Sequence, residues 1–274
     1  MERIRIPNKY GEMLVGILDH TGSKQLVILC HGLHSSKDDN ILVNLASAIA
    51  NKGLSVCRFD FAGNGESEGQ FLYGNYWKEA EDLRSVILYF RWKEFKVNTI
   101  IGHSKGGNAV LLYASKYKDI ETVINISARY ALDRGIKGRL GKDYEDRLKQ
   151  YEFIDVKDRS GNVLYRVTKE SLMDRLLTDM KAAALSIDKD CRVLTIHGSK
   201  DELIPVTDAF EFDKLIPNHC LHVLDGADHY YIRHLNELVS IVLNFIKDSW
   251  EKPKDKIDLA VPCSRRAGAF SSRL

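Results

Sequence analysis

The sequence lacks an excess of charge of either sign, since Lys and Arg number 40 and Asp and Glu number 38 among its 274 residues. A formal net charge of +2 gives no electrostatic reason to expect a nucleic-acid partner. Long apolar runs are also missing: stretches such as QLVILC have the length of a strand, far below the roughly 20 residues that cross a bilayer. We therefore expect neither nucleic acid nor a membrane as a partner.

The chain has few cysteines, and their spacing does not suggest a disulfide framework. The five cysteines are an odd number and include no CxxC pair, which favours reduced thiols in a reducing compartment. The N-terminal stretch MERIRIPNKYGEML is charged and lacks the apolar segment of a secretory signal. We expect a cytoplasmic protein that uses no metal and no other cofactor.

What the sequence does contain is a regular alternation of short apolar stretches and amphipathic stretches, which predicts an α/β protein. Such a pattern is typical of a mostly parallel sheet with helices on both faces. The first two stretches flank a turn at Asn8–Gly11 and predict an N-terminal hairpin. The predicted strands are RIRIP, MLVGILDH, QLVILCHG, LSVCRFD, VNTIIG, TVINIS, RVLTIHG and LHVLDG.

Residues 128–190 interrupt this alternation and are too long for an ordinary connection. We interpret them as a cap inserted above the sheet, so that residues 1–127 and 191–250 form the core. The insertion is predicted to hold a helical stretch (DYEDRLKQY), two strands (EFIDV and VLYRV) around a turn, and one helix after Thr168 carrying Leu172, Leu176 and Met180.

Residues 251–274 have no sustained apolar period and contain two prolines, which predicts a mobile C-terminal extension. The last three residues, Ser272-Arg273-Leu274, resemble the C-terminal S-K-L peroxisomal signal with arginine in place of lysine. A peroxisomal location is therefore the alternative to a cytoplasmic one.

The stretch Gly102-His103-Ser104-Lys105-Gly106 fits G-x-S-x-G, the nucleophile elbow. An apolar strand runs directly into it and a helical pattern over 105–117 follows it, as that motif requires. A strand that reverses sharply into a helix leaves little room for Cβ atoms, which explains the glycines. The elbow would hold Ser104 in a strained conformation with its hydroxyl at the edge of the sheet.

A serine hydroxyl needs a base and an orienting carboxylate before it becomes a good nucleophile. In this arrangement the expected chain order is Ser, then Asp or Glu, then His. Asp201 follows the strand RVLTIHG and His229 follows LHVLDG, so both are predicted at the carboxyl edge where Ser104 lies. We predict a triad of Ser104, Asp201 and His229.

Other acids and histidines near these positions fit the roles less well. Glu202 adjoins Asp201 and would point elsewhere, while Asp225 and Asp228 belong to the same loop as His229 and could not easily reach its Nδ1. His103 should point away from Ser104. Four further histidines are expected at the surface or in structural roles: His20, His219, His222 and His234.

Two backbone N–H groups are predicted to stabilise an oxyanion, those of Leu33 and Lys105. Leu33 lies in the loop after the third strand, and Lys105 follows the nucleophile. The simplest interpretation of the Lys105 side chain is a solvated helix residue. Candidate substrate contacts are His34, Tyr130 and Tyr165, although the simpler interpretation of His34 is a polar loop residue.

Together these motifs resemble the α/β-hydrolase superfamily and, within it, the serine hydrolases similar to cinnamoyl (feruloyl) esterases. The resemblance covers about residues 10–248 and rests on HGLHSSKDD, FDFAGNGESEG, GHSKGG, HGSKDELIPV and GADH, in that order. The GHSKGGN elbow and YRVTKESLMDRLLTDM further resemble a plant subgroup.

This resemblance implies a serine esterase with a small-molecule ester as substrate, acting as a monomer or a homodimer. It also implies a structural role for Asp60, Gly63, Gly65 and Ser67, and a cap that selects the substrate. An acyltransferase, a thioesterase, a peptidase or a small-molecule receptor that retains the triad remain alternatives.

Overall fold

The computed structural model describes residues 1–250, in which ten strands form one large and one small sheet. The strands are β1 (Glu2–Pro7), β2 (Met13–Asp19), β3 (Gln25–Cys30), β4 (Ser55–Phe59), β5 (Lys96–His103), β6 (Thr122–Ile126), β7 (Phe153–Lys157), β8 (Val163–Thr168), β9 (Arg192–Gly198) and β10 (His219–Leu224). Eight of them form the large sheet in the order β1-β2-β4-β3-β5-β6-β9-β10. The β1–β2 hairpin and the β2–β4 pair are antiparallel, and the other pairs are parallel.

Helices connect the strands across residues 1–250. They are α1 (Asn40–Ala50), α2 (Tyr76–Trp92), α3 (Lys105–Tyr117), α4 (Ile136–Leu140), α5 (Tyr144–Tyr151), α6 (Lys169–Leu177), α7 (Met180–Ser186), α8 (Thr207–Leu215) and α9 (Leu235–Trp250). Side chains such as Leu45 and Leu238 pack α1 and α9 on one face of the sheet. Leu83 and Leu112 pack α2 and α3 on the other face, together with α7 and α8. The predicted α/β fold with helices on both faces is confirmed.

The segment between β6 and β9 divides into two parts. Residues 136–177, here called the cap, pack around their own apolar cluster, which includes Leu140, Leu148 and Val167 and which Tyr73 of the main core joins. The expected strand pair is present as β7 and β8. By contrast, α7 packs with the main core through Met180.

The single helix predicted after Thr168 is two helices, so that prediction was wrong. The backbone becomes extended at Thr178 (ψ 110°), and the side chain of Asp179 then accepts hydrogen bonds from the N–H groups of Lys181 and Ala182 at the start of α7. A local cap of this kind starts a new helix that can take a different direction. Leu172 consequently packs in the cap and Met180 in the main core.

Two expectations fall on residues beyond the described range. The C-terminal extension at 251–274 and its last three residues, Ser272-Arg273-Leu274, lie outside the residues that the structure describes. Within residues 1–250, none of the helices combines the length and the apolar character that a membrane span requires.

Candidate active site

Ser104 occupies a sharp corner between β5 and α3. Its backbone has φ 54° and ψ −118°, a conformation that side-chain-bearing residues rarely adopt. A Cβ atom on Gly102 would lie 2.1 Å from the carbonyl oxygen of Gly106, and one on Gly106 would lie 2.4 Å from that of Cys30. Steric crowding at the corner therefore accounts for both glycines, as the sequence predicted.

The structure brings Ser104, His229 and Asp201 together. Nε2 of His229 lies 3.0 Å from Oγ of Ser104 across 125 positions of sequence, and its Nδ1 lies 2.7 Å from Oδ2 of Asp201. The three residues follow β5, β10 and β9, which are parallel, so their loops meet at one edge of the sheet. With Asp201 holding one ring nitrogen, the other can accept the hydroxyl proton of Ser104.

Asp201 is itself held by both of its carboxylate oxygens. Oδ1 accepts hydrogen bonds from the N–H groups of Leu203 (2.9 Å) and Ile204 (2.8 Å). Oδ2 faces His229 and also lies 3.4 Å from Nε2 of the buried His197. Burial alone would raise the pKa of Asp201, but the hydrogen bonds from His197 and His229 outweigh it and hold that pKa well below its usual range. The carboxylate therefore stays ionised.

His197 was not identified from the sequence as part of the site. It lies within β9, where an apolar run suggests core packing, and its side chain is fully buried. Nε2 of His197 also lies 2.9 Å from the carbonyl oxygen of Ile204, which belongs to the loop that carries Asp201. Its position four residues before Asp201 is a weak signal, since many strands end in a polar residue at that spacing.

The two predicted oxyanion donors lie on either side of Ser104. Lys105 is the first residue of α3, where backbone N–H groups have no partner within the helix and the helix dipole favours negative charge. The loop that carries Leu33 also approaches the nucleophile, because a Cβ atom on Gly32 would lie 3.2 Å from Cβ of Ser104. Leu33 and Lys105 line the same cavity as Ser104.

The side chain of Lys105 is buried, so its interpretation as a solvated residue was wrong. Nζ lies 2.7 Å from Oε1 of Glu79 on α2, and the two side chains are 3% and 6% exposed. Nζ also lies 5.0 Å from the centre of the Tyr76 ring. Burial raises the pKa of Glu79 to about 7, although Lys105 opposes this, and burial lowers the pKa of Lys105.

None of the three candidate substrate contacts lines the cavity beside Ser104. His34 is exposed, and its Nε2 lies 3.1 Å from the carbonyl oxygen of Leu164. Tyr130 packs edge-on against Phe212, with ring centres 5.4 Å apart. Tyr165 is buried within the cap cluster. Packing partners that are distant in sequence determine all three positions.

The cavity itself has a volume of about 470 Å³ and lies between the sheet edge and the cap. Ser104 and His229 are at one side of it. The lining includes residues that sequence reasoning missed, because they come from the cap, from loops and from helices α2 and α3, which only the tertiary structure brings together. These are Tyr73, Tyr76, Asn108, Arg129, Gly135, Gly138, Arg139, Arg175, Glu202, Leu203 and Ile204.

The glycine-rich loop after β4 has the structural organisation that the resemblance implied. The buried carboxylate of Asp60 accepts hydrogen bonds from the N–H of Lys37 (2.6 Å) and of Glu66 (2.9 Å) and forms an ion pair with Lys37 Nζ at 2.9 Å. Ser67 donates its hydroxyl to the carbonyl oxygen of Asp60 at 2.7 Å. Asp60 therefore ties this loop to the one that precedes α1.

Comparisons with known proteins agree with this architecture. Residues 21–151 match the family model Hydrolase_4, described as serine aminopeptidase, S33. The Saccharomyces cerevisiae protein YDL057W is 24% identical over 226 residues, which cover 76% of this chain and 69% of the yeast protein.

Two similar solved structures cover nearly the whole chain. Est1E from Butyrivibrio proteoclasticus, with bound ferulic acid, has a TM-score of 0.79 at 23% identity and covers 91% of this chain and 100% of its own. The Pyrococcus furiosus esterase Pf2001 has a TM-score of 0.69 at 23% identity, covering 90% of this chain and 91% of its own. With the sheet order and the corner at Ser104, these similarities identify the fold of this chain as the α/β-hydrolase fold.

Proposed function

We propose that the protein is a serine hydrolase that cleaves carboxylic esters through an acyl-enzyme. The observation that carries this proposal is the continuous chain of contacts from Asp201 through His229 to Ser104, at 2.7 and 3.0 Å. Distances in this range permit proton transfer between the imidazole and the hydroxyl. The serine also lies beside a cavity large enough for a small ester.

In the proposed mechanism, His229 takes the hydroxyl proton of Ser104 while Oγ attacks the ester carbonyl carbon. The N–H groups of Leu33 and Lys105 stabilise the resulting oxyanion. His229 then gives its proton to the leaving alcohol, and Ser104 keeps the acyl group. A water molecule, deprotonated by His229, attacks the acyl-enzyme, and His229 returns that proton to Oγ of Ser104 as the bond to the acyl group breaks and the acid is released. Asp201 keeps the imidazole in the required tautomer and stabilises its charged form.

The related proteins support esters over other substrates, but they also name a second class. Est1E holds ferulic acid and Pf2001 is called an esterase, which favours aryl or acyl esters. The matched family model is described as a serine aminopeptidase, which makes amide cleavage the competing activity. The same triad can serve either reaction, so the substrate has to be tested directly.

Active-site labelling tests whether Ser104 is activated. A fluorophosphonate probe should label the wild type and the Ser240→Ala variant, whose hydroxyl lies on α9, and should leave Ser104→Ala unlabelled. Labelling that survives in Ser104→Ala would contradict the proposed nucleophile.

Turnover then separates the candidate functions. We expect repeated hydrolysis of 4-nitrophenyl acetate or methyl ferulate and little hydrolysis of alanine 4-nitroanilide. Efficient cleavage of the anilide alone would indicate a peptidase. A single turnover followed by persistent binding would indicate a receptor.

A further inference from the structure

The cavity beside Ser104 is lined by three arginines, Arg129, Arg139 and Arg175, and by a single carboxylate, that of the exposed Glu202. Lys105 also lines it, but Glu79 neutralises that ammonium. Among the side chains that the structure describes, no carboxylate oxygen lies within 4.0 Å of the guanidinium nitrogens of these three arginines.

Arg175 is almost completely buried and has only neutral hydrogen-bond partners. Nε donates to the carbonyl oxygen of Leu132 (2.8 Å), Nη1 to the hydroxyl of Tyr76 (2.9 Å) and Nη2 to the carbonyl oxygen of Arg134 (3.2 Å). Its residue exposure is 5%. Three of its five N–H groups are used in this way, so the charge is held in place without being compensated.

Arg129 is positioned from its backbone. The buried side chain of Asn108 on α3 donates to the carbonyl oxygen of Arg129 at 2.6 Å and accepts from its N–H at 3.2 Å. The guanidinium donates to the carbonyl oxygen of Leu203, again a neutral acceptor. Burial lowers the pKa of Arg129, the nearby Arg175 adds to this effect, and the carboxylate of Asp208 partly opposes it.

Arg139 lies on α4 at the exposed side of the cavity. Its Nη1 donates to the hydroxyl of Tyr165 at 3.2 Å, and that hydroxyl belongs to a buried ring of the cap cluster. The remaining N–H groups of its guanidinium are available to a ligand. The three arginines therefore come from three separate segments and meet around one space.

Desolvated cations without a counter-ion are costly, and an incoming anion would remove that cost. A purely structural role explains Arg175, which ties α6 to the loop at 132–134. It explains Arg129 and Arg139 less well, because the guanidinium of each donates to a single acceptor among the described residues. The planar guanidinium matches the geometry of a carboxylate or a phosphate.

We propose that this cavity binds a negatively charged group of the substrate, apart from the reacting carbonyl. The ester hydrolysed at Ser104 would then be an anion, and a carboxylate is the simplest group that could carry the charge. This inference rests on the proposed ester hydrolysis and specifies its substrate class. Arg129, Arg139 and Arg175, none of which forms an ion pair within 4.0 Å among the described residues, provide the selectivity, and Ser104 provides the chemistry.

Matched pairs of esters test the inference on both sides of the scissile bond. 4-Acetoxybenzoate and 4-acetoxybenzamide differ by one charge in the leaving group, and methyl 4-carboxycinnamate and methyl 4-carbamoylcinnamate differ by one charge in the acyl group. For at least one pair, kcat/KM of the wild type should favour the anion by tenfold or more. No preference, or a preference for the neutral ester in both pairs, would overturn the inference.

Arginine variants assign the preference to this cavity. In Arg139→Gln and in Arg129→Gln the ratio of anionic to neutral kcat/KM should fall about tenfold, as expected for the loss of a charge-assisted hydrogen bond. Arg139→Lys should keep part of the ratio. Arg166→Gln is the control, because Arg166 forms an exposed ion pair with Asp155 on the cap and does not line the cavity. An unchanged ratio in both Gln variants would contradict the assignment.

Binding to the Ser104→Ala variant separates this inference from the proposed hydrolysis. Isothermal titration calorimetry with both ester pairs should give at least tenfold tighter binding of the anionic member in at least one pair, and that binding should weaken with added salt. If Ser104→Ala binds the anion selectively but the wild type does not turn it over, the esterase proposal is contradicted and the anion site is still supported. Equal binding of the anionic and neutral members in both pairs would overturn the anion site alone.

Discussion

Nζ of Lys105 lies 2.7 Å from Oε1 of Glu79, and this buried ion pair joins α3 to α2 one residue after the nucleophile. Lys105 thus has two separate functions in the fold, because its backbone N–H is a candidate oxyanion donor while its side chain fixes the start of α3. The second carboxylate oxygen of Glu79, Oε2, is buried without a hydrogen-bond partner. The pair is therefore sensitive to any change in either partner.

Removing one partner of this pair should be more damaging than removing both. We expect Glu79→Leu to lower the free energy of unfolding by about 3 kcal/mol, since it removes the side-chain oxygen that accepts from the buried ammonium of Lys105, whatever the protonation state of Glu79. The double variant Glu79→Leu, Lys105→Met should lose less than this single variant, since no buried ammonium then remains. Urea unfolding at pH 6 measures both. Lys214→Gln, which breaks an exposed pair with Glu211, is the control and should change stability by less than about 1 kcal/mol. A double variant that loses as much stability as the single variant, or more, would contradict the coupling between Glu79 and Lys105.

The same pair makes stability depend on pH in a defined direction. The pKa of Glu79, raised to about 7 by burial, lies above the 4.5 of the free side chain. Its contribution to stability is therefore complete below about pH 4.5 and is lost as pH rises through about 7. The difference in unfolding free energy between the wild type and Glu79→Gln should narrow from pH 4.5 to pH 8. A constant difference over that range would exclude a raised pKa.

Replacing Asp201 should remove activity and leave the fold intact. In Asp201→Asn the neutral amide can no longer accept the hydrogen bond from Nδ1–H of His229 as a charged carboxylate does, and the imidazole loses its required tautomer. We expect kcat to fall by roughly 10⁴. Asp225→Asn is the control, because Asp225 accepts a hydrogen bond from Ser199 at the surface nearby. Steady-state kinetics on 4-nitrophenyl acetate, with circular dichroism to verify folding, would detect the difference. Near-normal kcat in Asp201→Asn would assign the carboxylate a structural role.

The glycine at 106 should be irreplaceable. In Gly106→Ala the new methyl group would meet the backbone of β3, 2.4 Å from the carbonyl oxygen of Cys30. We expect a loss of more than about 2 kcal/mol in unfolding free energy together with a loss of fluorophosphonate labelling. Gly138→Ala is matched in chemistry but has nothing within 4 Å of the added carbon, so its thermal unfolding temperature should stay the same or rise. Equal behaviour of the two variants would contradict the steric explanation of the corner.

Most of the fold and the positions of Ser104, Asp201 and His229 could be predicted because local rules govern them. Strand-length apolar runs define the sheet, and each of the three residues lies within five residues of the end of a strand. Parallel strands must end at one edge, so their spatial meeting follows from the order of elements. The glycines beside Ser104 add a steric signal that is visible in the sequence.

The lining of the cavity could not be predicted, because it depends on contacts between distant segments. Lys105 pairs with Glu79 on α2, and Tyr165 packs in the apolar cluster of the cap together with Tyr73 instead of lining the cavity. Arg129 and Arg175 are charged residues within charged stretches, where a solvated position is the default expectation. Only the packing of the cap against the loops after the strands brings them together.

The cap has its own apolar cluster, separate from the two that hold the sheet and its helices. Mutations that reshape residues 136–177 can therefore accumulate without disturbing the elbow or the loops that carry the acid and the base. Because of this division, related chains can differ in the molecules that they recognise and still keep Ser104, Asp201 and His229 in the same arrangement. Sequence differences among related chains should then concentrate on Arg139 and its neighbours and spare the corner at Ser104.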